Sequence, residues 1–478
     1  MLEIPLKLSY DDVLLVPKKA IVNSRKEIST KTKLTRNILL NIPVVSANMD
    51  SVTEFEMAIS MARLGGIGII HRFLTIKDQA NQVKIVKRKD NLIIEEPYSV
   101  NPIKNLAELK QIMEDKGVNG LLVTDRENKL LGIVTNRDVK FRENDEMLVS
   151  ELMTPRNRLF TGWEGISLAE AKDIFKISKV EKLPIVNQNN QLVGLITQKD
   201  IIKIETHTNA TRDDKGRLMV GAAIGTKKEF MKRTDALVEA GVDVLVIDVA
   251  HGHAIRVIEV IQEIKNKYPH IEIVAGNIAT GEATKELIEA GADGIKIGVG
   301  PGSICSTRIV SGAGVPQFSA VNDCAKIAQE YNVPVIADGG IKVSGDISKA
   351  LAAGASSVML GSLLAGTDEG PGLMIIKNGD KFKVSRGMAS FGAAMGRNYR
   401  ENKKVDKELE DVVPEGVEAM VRYKGSVKEV IAQLVGGLRS GISYCGSNCI
   451  PMMWEKAEFV RISPAGMRES KPHDVTLV

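Results

Sequence analysis

Apolar runs rich in Val, Ile and Ala recur at residues 43–50, 67–72, 220–225, 243–251, 271–277, 294–300, 334–340 and 358–362, each ending in glycine or polar residues. Stretches with apolar positions at helical spacing, such as 228–240 and 282–290, separate them. A strand without polar alternation is buried on both faces, as in a parallel sheet covered by helices. Eight such units predict an α/β fold of the (β/α)8 TIM-barrel type, with reactive groups at the C-terminal ends of the strands.

Nearly 150 residues separate the second run from the third, too many for one crossover. Within them residues 118–139 align without gaps on 180–201, at an offset of 62, with Leu121/Leu183, Leu130/Leu192, Gly132/Gly194, Thr135/Thr197 and Asp138/Asp200 as identical pairs. Each copy predicts strand, turn, strand and helix, and two copies can cover each other's apolar faces. The repeat resembles the paired CBS motifs of a Bateman module, and that resemblance implies an adenosine- or guanosine-nucleotide site in which each Thr-x-x-Asp contacts ribose; the alternative is a module that only packs. The expected layout is a barrel from 1–91 and 204–478, a tandem CBS insert at 92–203 with repeats at about 92–145 and 149–203, and an active-site flap at 380–425.

Composition narrows the class. The chain has 478 residues, 44% hydrophobic and 26% charged, as ordinary globular proteins do. No apolar run approaches the roughly 20 residues of a membrane span, and Met1-Leu-Glu-Ile-Pro-Leu-Lys lacks a signal-peptide core, so a cytoplasmic location and no membrane partner are expected. The net charge of +4 comes from 64 basic and 60 acidic residues without a basic stripe, so no nucleic-acid partner is expected. Four cysteines make neither a disulfide framework nor a zinc site; Cys324, Cys445 and Cys449 are expected to be core thiols.

The fourth, Cys305, lies in Gly298-Val-Gly-Pro-Gly-Ser-Ile-Cys-Ser-Thr-Arg308 after the sixth run. Three glycines and a proline force a loop whose amides or carbonyls can face an ion, and a thiol beside Arg308 and loop N–H groups is expected to have a lowered pKa, as a nucleophile needs. Ala337-Asp-Gly-Gly340 and Met359-Leu-Gly-Ser362 end the next two runs. Asp338 suits ribose hydroxyls, and Ser303, Gly340, Gly361 and Ser362 would surround one phosphate.

With these loops the chain resembles the IMP dehydrogenase / GMP reductase family over almost its whole length. The matching motifs are Ser9-Tyr-Asp-Asp-Val-Leu-Leu-Val-Pro17, Ser46-Ala-Asn-Met-Asp50, Asp248-Val-Ala-His-Gly252, Gly300-Pro-Gly-Ser-Ile-Cys305, Ala337-Asp-Gly-Gly-Ile341, Arg386-Gly-Met-Ala-Ser390 and Val413-Pro-Glu-Gly416. The resemblance implies that Cys305, with Ser306, Thr307, Glu415 and Tyr399 as catalytic neighbours, forms a thioimidate at C2 of a purine monophosphate while hydride is exchanged with NADPH or NAD. It implies that Gly387, Met388 and Glu415 contact the base and that Asp248, Val249, Ala250 and Gly298 line the nicotinamide site. It further implies a potassium ion at Gly300, Gly302 and Cys305 with Glu469 and Ser470, a homotetramer or octamer, and purine-nucleotide effectors at the insert. His251 and His253 are further cofactor-site candidates, with a loop or packing role as the alternative for His253.

The direction of reaction turns on the flap. In the dehydrogenases an arginine of an Arg-Tyr pair activates the hydrolytic water; a reductase expels ammonia and needs no such base. Aligned on Tyr399, that position is Asn398, flanked by Arg397 and Arg400. Asn48, Val249-Ala250, Ser319 and Ser385 also look reductase-like, whereas the insert and the 461–474 stretch look dehydrogenase-like. Ser306 departs from the threonine usual in both branches. The expected reaction is NADPH-dependent conversion of GMP to IMP and ammonia; the alternative is NAD-dependent oxidation of IMP to XMP, and a nucleotide-sensing scaffold with a degenerate barrel is a third.

Overall fold

A computed structural model describes residues 4–90, 93–95, 97–393 and 413–472, the Lys203 side chain excepted. It divides into two compact units, Met1–Lys89 with Asn209–Val478, and Asp90–Thr208.

In the first unit eight parallel strands close a barrel: β1 (Val44–Ser46), β2 (Ile67–Ile70), β3 (Gly221–Ile224), β4 (Val244–Asp248), β5 (Glu272–Ile278), β6 (Gly294–Ile297), β7 (Val335–Asp338) and β8 (Ser357–Leu360). Pairing of β8 with β1 completes the ring. Each apolar run of the sequence holds one strand, and the polar residues at its end belong to the rim. The covering helices are α1 (Phe55–Leu64), α2 (Ile76–Arg88), α3 (Phe230–Glu239), α4 (Ile255–Lys267), α5 (Gly281–Glu289), α6 (Gln317–Glu330), α7 (Ser344–Ala352) and α8 (Val427–Tyr444).

The strands lack polar alternation because both faces are buried. In β4, Val244 and Val246 join the barrel interior with Val45, Ile69, Ala223 and Ile336. Leu245 and Ile247 join the layer beneath the helices. Full burial of each such side chain stabilises by about 1.5–3 kcal/mol. Strand β6 is the exception: Ile295 and Ile297 face the helices, and Lys296, 1% exposed, is among the most buried side chains. Where the chain re-enters the barrel, Lys87 donates to Asp213 at 2.8 Å and to Asp243 at 2.9 Å. In the segment expected to form the flap, Asp380–Arg386 pairs antiparallel with Glu418–Arg422, and Met374–Lys377 adds a third strand. The middle of that segment, 394–412, lies outside the described residues, and with it Arg397, Asn398, Tyr399 and Arg400.

The second unit repeats itself at the offset seen in the sequence. Helix Leu106–Lys116 and strands Gly120–Thr124 and Leu130–Thr135 recur as Leu168–Ser178, Lys182–Val186 and Leu192–Thr197. The helix ahead of each strand pair adds to the sequence expectation. Asn128 and Asn190 take equivalent left-handed turns, and the hairpin tips exchange backbone hydrogen bonds, Leu130 N to Asn190 O and Leu192 N to Asn128 O. Leu122, Leu130, Ile133, Leu192 and Leu195 fill the space between the copies. Both Thr-x-x-Asp pairs cap helices here: Thr135 donates to Asp138 at 2.7 Å and Thr197 to Asp200 at 2.6 Å.

Candidate active site

The loop after β6 is set by glycine. Gly298 has φ +149°, and a Cβ there would stand 2.1 Å from the Asp338 carbonyl oxygen, so only glycine lets β6 and β7 approach at the rim. The loop then runs on to Cys305, which is exposed and in no disulfide.

What surrounds Cys305 differs from the sequence expectation in one respect. Arg308 does not face the thiol: it donates to Val299 O at 3.1 Å and Val315 O at 2.6 Å, bracing the two ends of the loop. The sulfur instead lies 3.2 Å from Thr307 Oγ1, and that hydroxyl donates to Glu415 Oε2 at 2.7 Å. A hydroxyl has one proton, so with that proton on Glu415 it accepts from the thiol. The result is a line from thiol through hydroxyl to carboxylate.

Glu415 reaches this position because residues 413–417 run antiparallel to 304–306. Ser306 N donates to Glu415 O at 2.8 Å and Val417 N to Ile304 O at 3.0 Å. On the other side Glu415 N donates to Ala389 O and Gly387 N to Val417 O. Gly387 and Gly416 allow three segments to meet, since a Cβ on Gly387 would stand 3.0 Å from Ile304 O and 3.2 Å from Gly416 Cα. Met388, half-buried, lies between Gly387 and Ala389, the residues that bond to this segment.

A second cluster, centred on a residue that the sequence reading passed over, lies at the top of the barrel interior. Lys296 donates to Asp248 Oδ1 at 2.8 Å and Asp338 Oδ2 at 2.6 Å, and also to Asn277 Oδ1. Asn277 donates to the same Asp338 oxygen at 2.9 Å, and Asn48 to Asp248 Oδ2 at 2.6 Å. Burial opposes charge on Lys296, but the two carboxylates hold its pKa above the ordinary lysine value. Burial likewise pushes Asp248 up, and the Lys296 charge with the bonds from Lys296 and Asn48 more than offsets this, so Asp248 lies below its usual value. Asp338 Oδ1 makes no hydrogen bond among the described residues. A lysine inside a Val/Ile strand was the available signal, because a buried cation requires acids beside it.

The remaining candidates are distributed as follows. Gly340 (φ +79°), Gly361 and Ser362 follow β7 and β8, Ser362 opening the short helix Ser362–Ala365, and Ser303 is exposed on the neighbouring β6 loop. Ser385 is buried 3.4 Å from Ser51 Oγ, and Arg386 grips Asp50 through two nitrogens. Val249 exchanges backbone hydrogen bonds with Gly276 and Asn277, which fixes Ala250 beside it, and His253 pairs with Glu286 at 3.0 Å. Glu469 ends the helix Pro464–Glu469, and Ser470 donates to Gly466 O; neither bonds to the Gly300–Gly302 loop, where Gly302 O accepts from Cys305 N. Cys324 is fully buried, and burial, partly offset by a bond to Thr284, pushes its thiol up to about 12. Cys445 is also raised by burial. Cys449 is not a core thiol: it is half-buried at the N-cap of Ile450–Lys456.

The profile described as IMP dehydrogenase / GMP reductase domain matches residues 7–473. Over 473 residues the chain is 53% identical to inosine-5'-monophosphate dehydrogenase of Nitrosopumilus maritimus (strain SCM1), covering 98% of this chain and 99% of the relative. Over 485 residues it is 50% identical to GMP reductase of Leishmania donovani, covering 99% and 98%. A crystal structure of a Trypanosoma brucei GMP reductase variant in complex with guanosine 5'-monophosphate matches at TM-score 0.90 and 48% identity, over 99% of both chains.

Proposed function

This chain belongs to the IMP dehydrogenase / GMP reductase family of oxidoreductases, and from that premise we propose that it reduces GMP to IMP, releasing ammonia, with NADPH as cofactor. The hydrogen-bonded line from Cys305 through Thr307 to Glu415 carries the reading. Loss of ammonia from C2 needs a proton on the exocyclic nitrogen, and a hydroxyl and carboxylate beside the thiol can relay one to it. The trypanosomal reductase that matches over almost the whole chain has GMP bound, and Asn398 stands where the dehydrogenases resembled have their arginine base.

In this reading Cys305 Sγ adds to C2 and its proton reaches ring N3. Thr307 and Glu415 relay a proton to the exocyclic amine, which departs as ammonia and leaves a thioimidate on Cys305. The reduced nicotinamide supplies the hydride that C2 then receives. One proton from solvent enters through Glu415 and balances the reaction as GMP + NADPH + H+ giving IMP + NH3 + NADP+, with the thiol regenerated. Asp338 binds the ribose through Oδ1, Ser303, Gly340, Gly361 and Ser362 bind the phosphate, and Gly387 and Met388 bind the base edge.

The nicotinamide group fits beside Asp248, Val249, Ala250 and Gly298. Both Asp248 oxygens are oriented by Lys296 and Asn48, and each keeps an acceptor position for a ribose hydroxyl. Potassium at the Gly300, Gly302 and Cys305 carbonyls is a further part of the proposal, tested by exchanging K+ for Li+ in the assay. So are a cytoplasmic homo-oligomer and binding of purine nucleotides by the tandem insert.

The second reading, oxidation of IMP to XMP with NAD, is favoured by the 53% identity to a relative of that name. Absorbance of the reduced cofactor separates the two. Consumption of NADPH with GMP is the expected result; NADH formation from IMP without turnover of GMP selects the second reading.

A further inference from the structure

We propose that Lys383 is a positioning residue for this reaction: its ammonium, seated among three backbone carbonyls, ties the strand that leads toward Glu415 to the loop that leaves the candidate phosphate site. The inference rests on the reading of Glu415 as the proton relay.

Lys383 lies in the middle of the strand Asp380–Arg386 and is 6% exposed. Side chains alternate along a strand, so Lys383 and Ser385 are buried while Lys381 is exposed. Its Nζ donates to Thr367 O at 2.7 Å, Asp368 O at 3.2 Å and Gly370 O at 2.5 Å. An ammonium has three N–H groups and no acceptor, so three carbonyls answer it in full. Among the described residues its hydrogen-bond partners are all carbonyls and none is a carboxylate. The two acids of the loop are engaged elsewhere: Asp368 accepts from Tyr423 Oη at 2.7 Å, and Glu369 from Ser426 Oγ at 3.1 Å and Val427 N at 2.8 Å. Lys296 is held by two acids, whereas Lys383 sits as a monovalent cation sits in a ring of carbonyls. An apolar side chain there would avoid the cost of burying a charge; a charge with three directed bonds instead fixes one position of the strand.

The two segments joined by this cage both lead to the site. Residues 366–372 follow the helix Ser362–Ala365, which opens at Gly361 and Ser362. Glycine lets this loop lie on the sheet: a Cβ at Gly366 would stand 2.2 Å from Arg422 O, and one at Gly372 2.4 Å from Val384 O. On the strand side Lys383 pairs with Val421 and Arg386 with Glu418. The same two chains run on into the bonds from Gly387 N to Val417 O and from Glu415 N to Ala389 O, which set Glu415 beside Thr307. Arg386 bonds to Asp50 and Ser51 at the end of the strand. Lys383 therefore fixes the ladder ahead of the segment that meets the Cys305 loop.

The test is steady-state kinetics of the full chain with and without n-propylammonium, which matches the atoms removed in Lys383→Ala. That variant should lower kcat/KM for GMP by about 10²-fold, the scale of a misplaced reacting group, and leave KM for NADPH unchanged, because the Asp248 and Lys296 cluster is not built on this sheet. n-Propylammonium should restore most of the lost activity; tetramethylammonium, which carries the charge but no N–H, should restore none. Lys383→Gln, which keeps two N–H donors, should show a smaller loss with KM for NADPH again unchanged, and covers the case in which Lys383→Ala fails to fold. Lys377→Gln, the same charge change at an exposed site of the sheet, should behave as wild type. Wild-type kcat/KM in the Lys383 variants, equal effects on GMP and NADPH, or no preference for n-propylammonium over tetramethylammonium overturns the role. Failure of the reaction reading shows separately, in the wild-type chain, as turnover of IMP with NAD and none of GMP; the role of Lys383 is read from the ratio of variant to wild type in whichever assay turns over.

Discussion

The two polar clusters of the barrel rim are built on opposite principles. Around Cys305 the groups are neutral or singly charged, partly exposed, and joined by only two side-chain contacts from thiol to Glu415. Around Lys296 one fully buried ammonium is shared by Asp248, Asp338 and Asn277, with Asn48 closing the far side. A nucleophile must be reachable and free to give up its proton, so its partners are few. In the second cluster, where the proposal places two nucleotides, each group is over-determined by charge and hydrogen bonds, as orienting groups must be. On the proposed reading, the first cluster serves a covalent step and the second holds geometry while it occurs.

Several substitutions should separate these roles. Cys305→Ala removes the nucleophile and should lower turnover by about 10⁴–10⁶-fold, leaving thermal unfolding and GMP binding close to wild type. Glu415→Gln keeps the shape but cannot relay a proton, and should cost about 10²–10⁴-fold in kcat with KM for GMP little changed. Lys296→Met should do the reverse. It strands two carboxylates, costs about 3–5 kcal/mol of stability, and raises KM for nucleotide and cofactor together, with partial rescue by Lys296→Arg. Equal KM effects from Glu415→Gln and Lys296→Met would remove the distinction between the clusters.

The smallest effect is on pH dependence. Asp248 is held below its ordinary carboxylate value in the folded chain, so the folded state binds fewer protons than the unfolded chain as pH falls. Its contribution is complete above about pH 4, the unfolded carboxylate value, and is lost as pH drops through the lower folded value. Asp248→Asn should therefore flatten the acid limb of a stability profile measured by denaturant unfolding, with little change in its shape above about pH 5.

The barrel was legible because uninterrupted Val/Ile/Ala runs have few other uses, and the 62-residue repeat stood out by identity alone. Cys305, Thr307 and Glu415 could be named from motifs, yet their line of contact could not. It depends on Gly387 and Gly416 letting distant segments close on one loop. Arg308 misled for a related reason, since adjacency in sequence does not say whether a guanidinium turns to the thiol or to carbonyls. Lys296 was missed because its acids lie 48 and 42 residues away, on β4 and β7. Cys449 was misplaced in the core because a helix N-cap leaves its side chain half outside.

The central claim is that Cys305 forms the covalent bond to the purine. Acid quenching of the full chain during steady-state turnover of GMP with NADPH, followed by proteolysis and mass spectrometry, tests it most directly. A purine-ribotide adduct on the peptide containing Cys305, absent in Cys305→Ala, is the predicted result. Continued turnover by Cys305→Ala, or an adduct on Cys324, Cys445 or Cys449 instead, would contradict it.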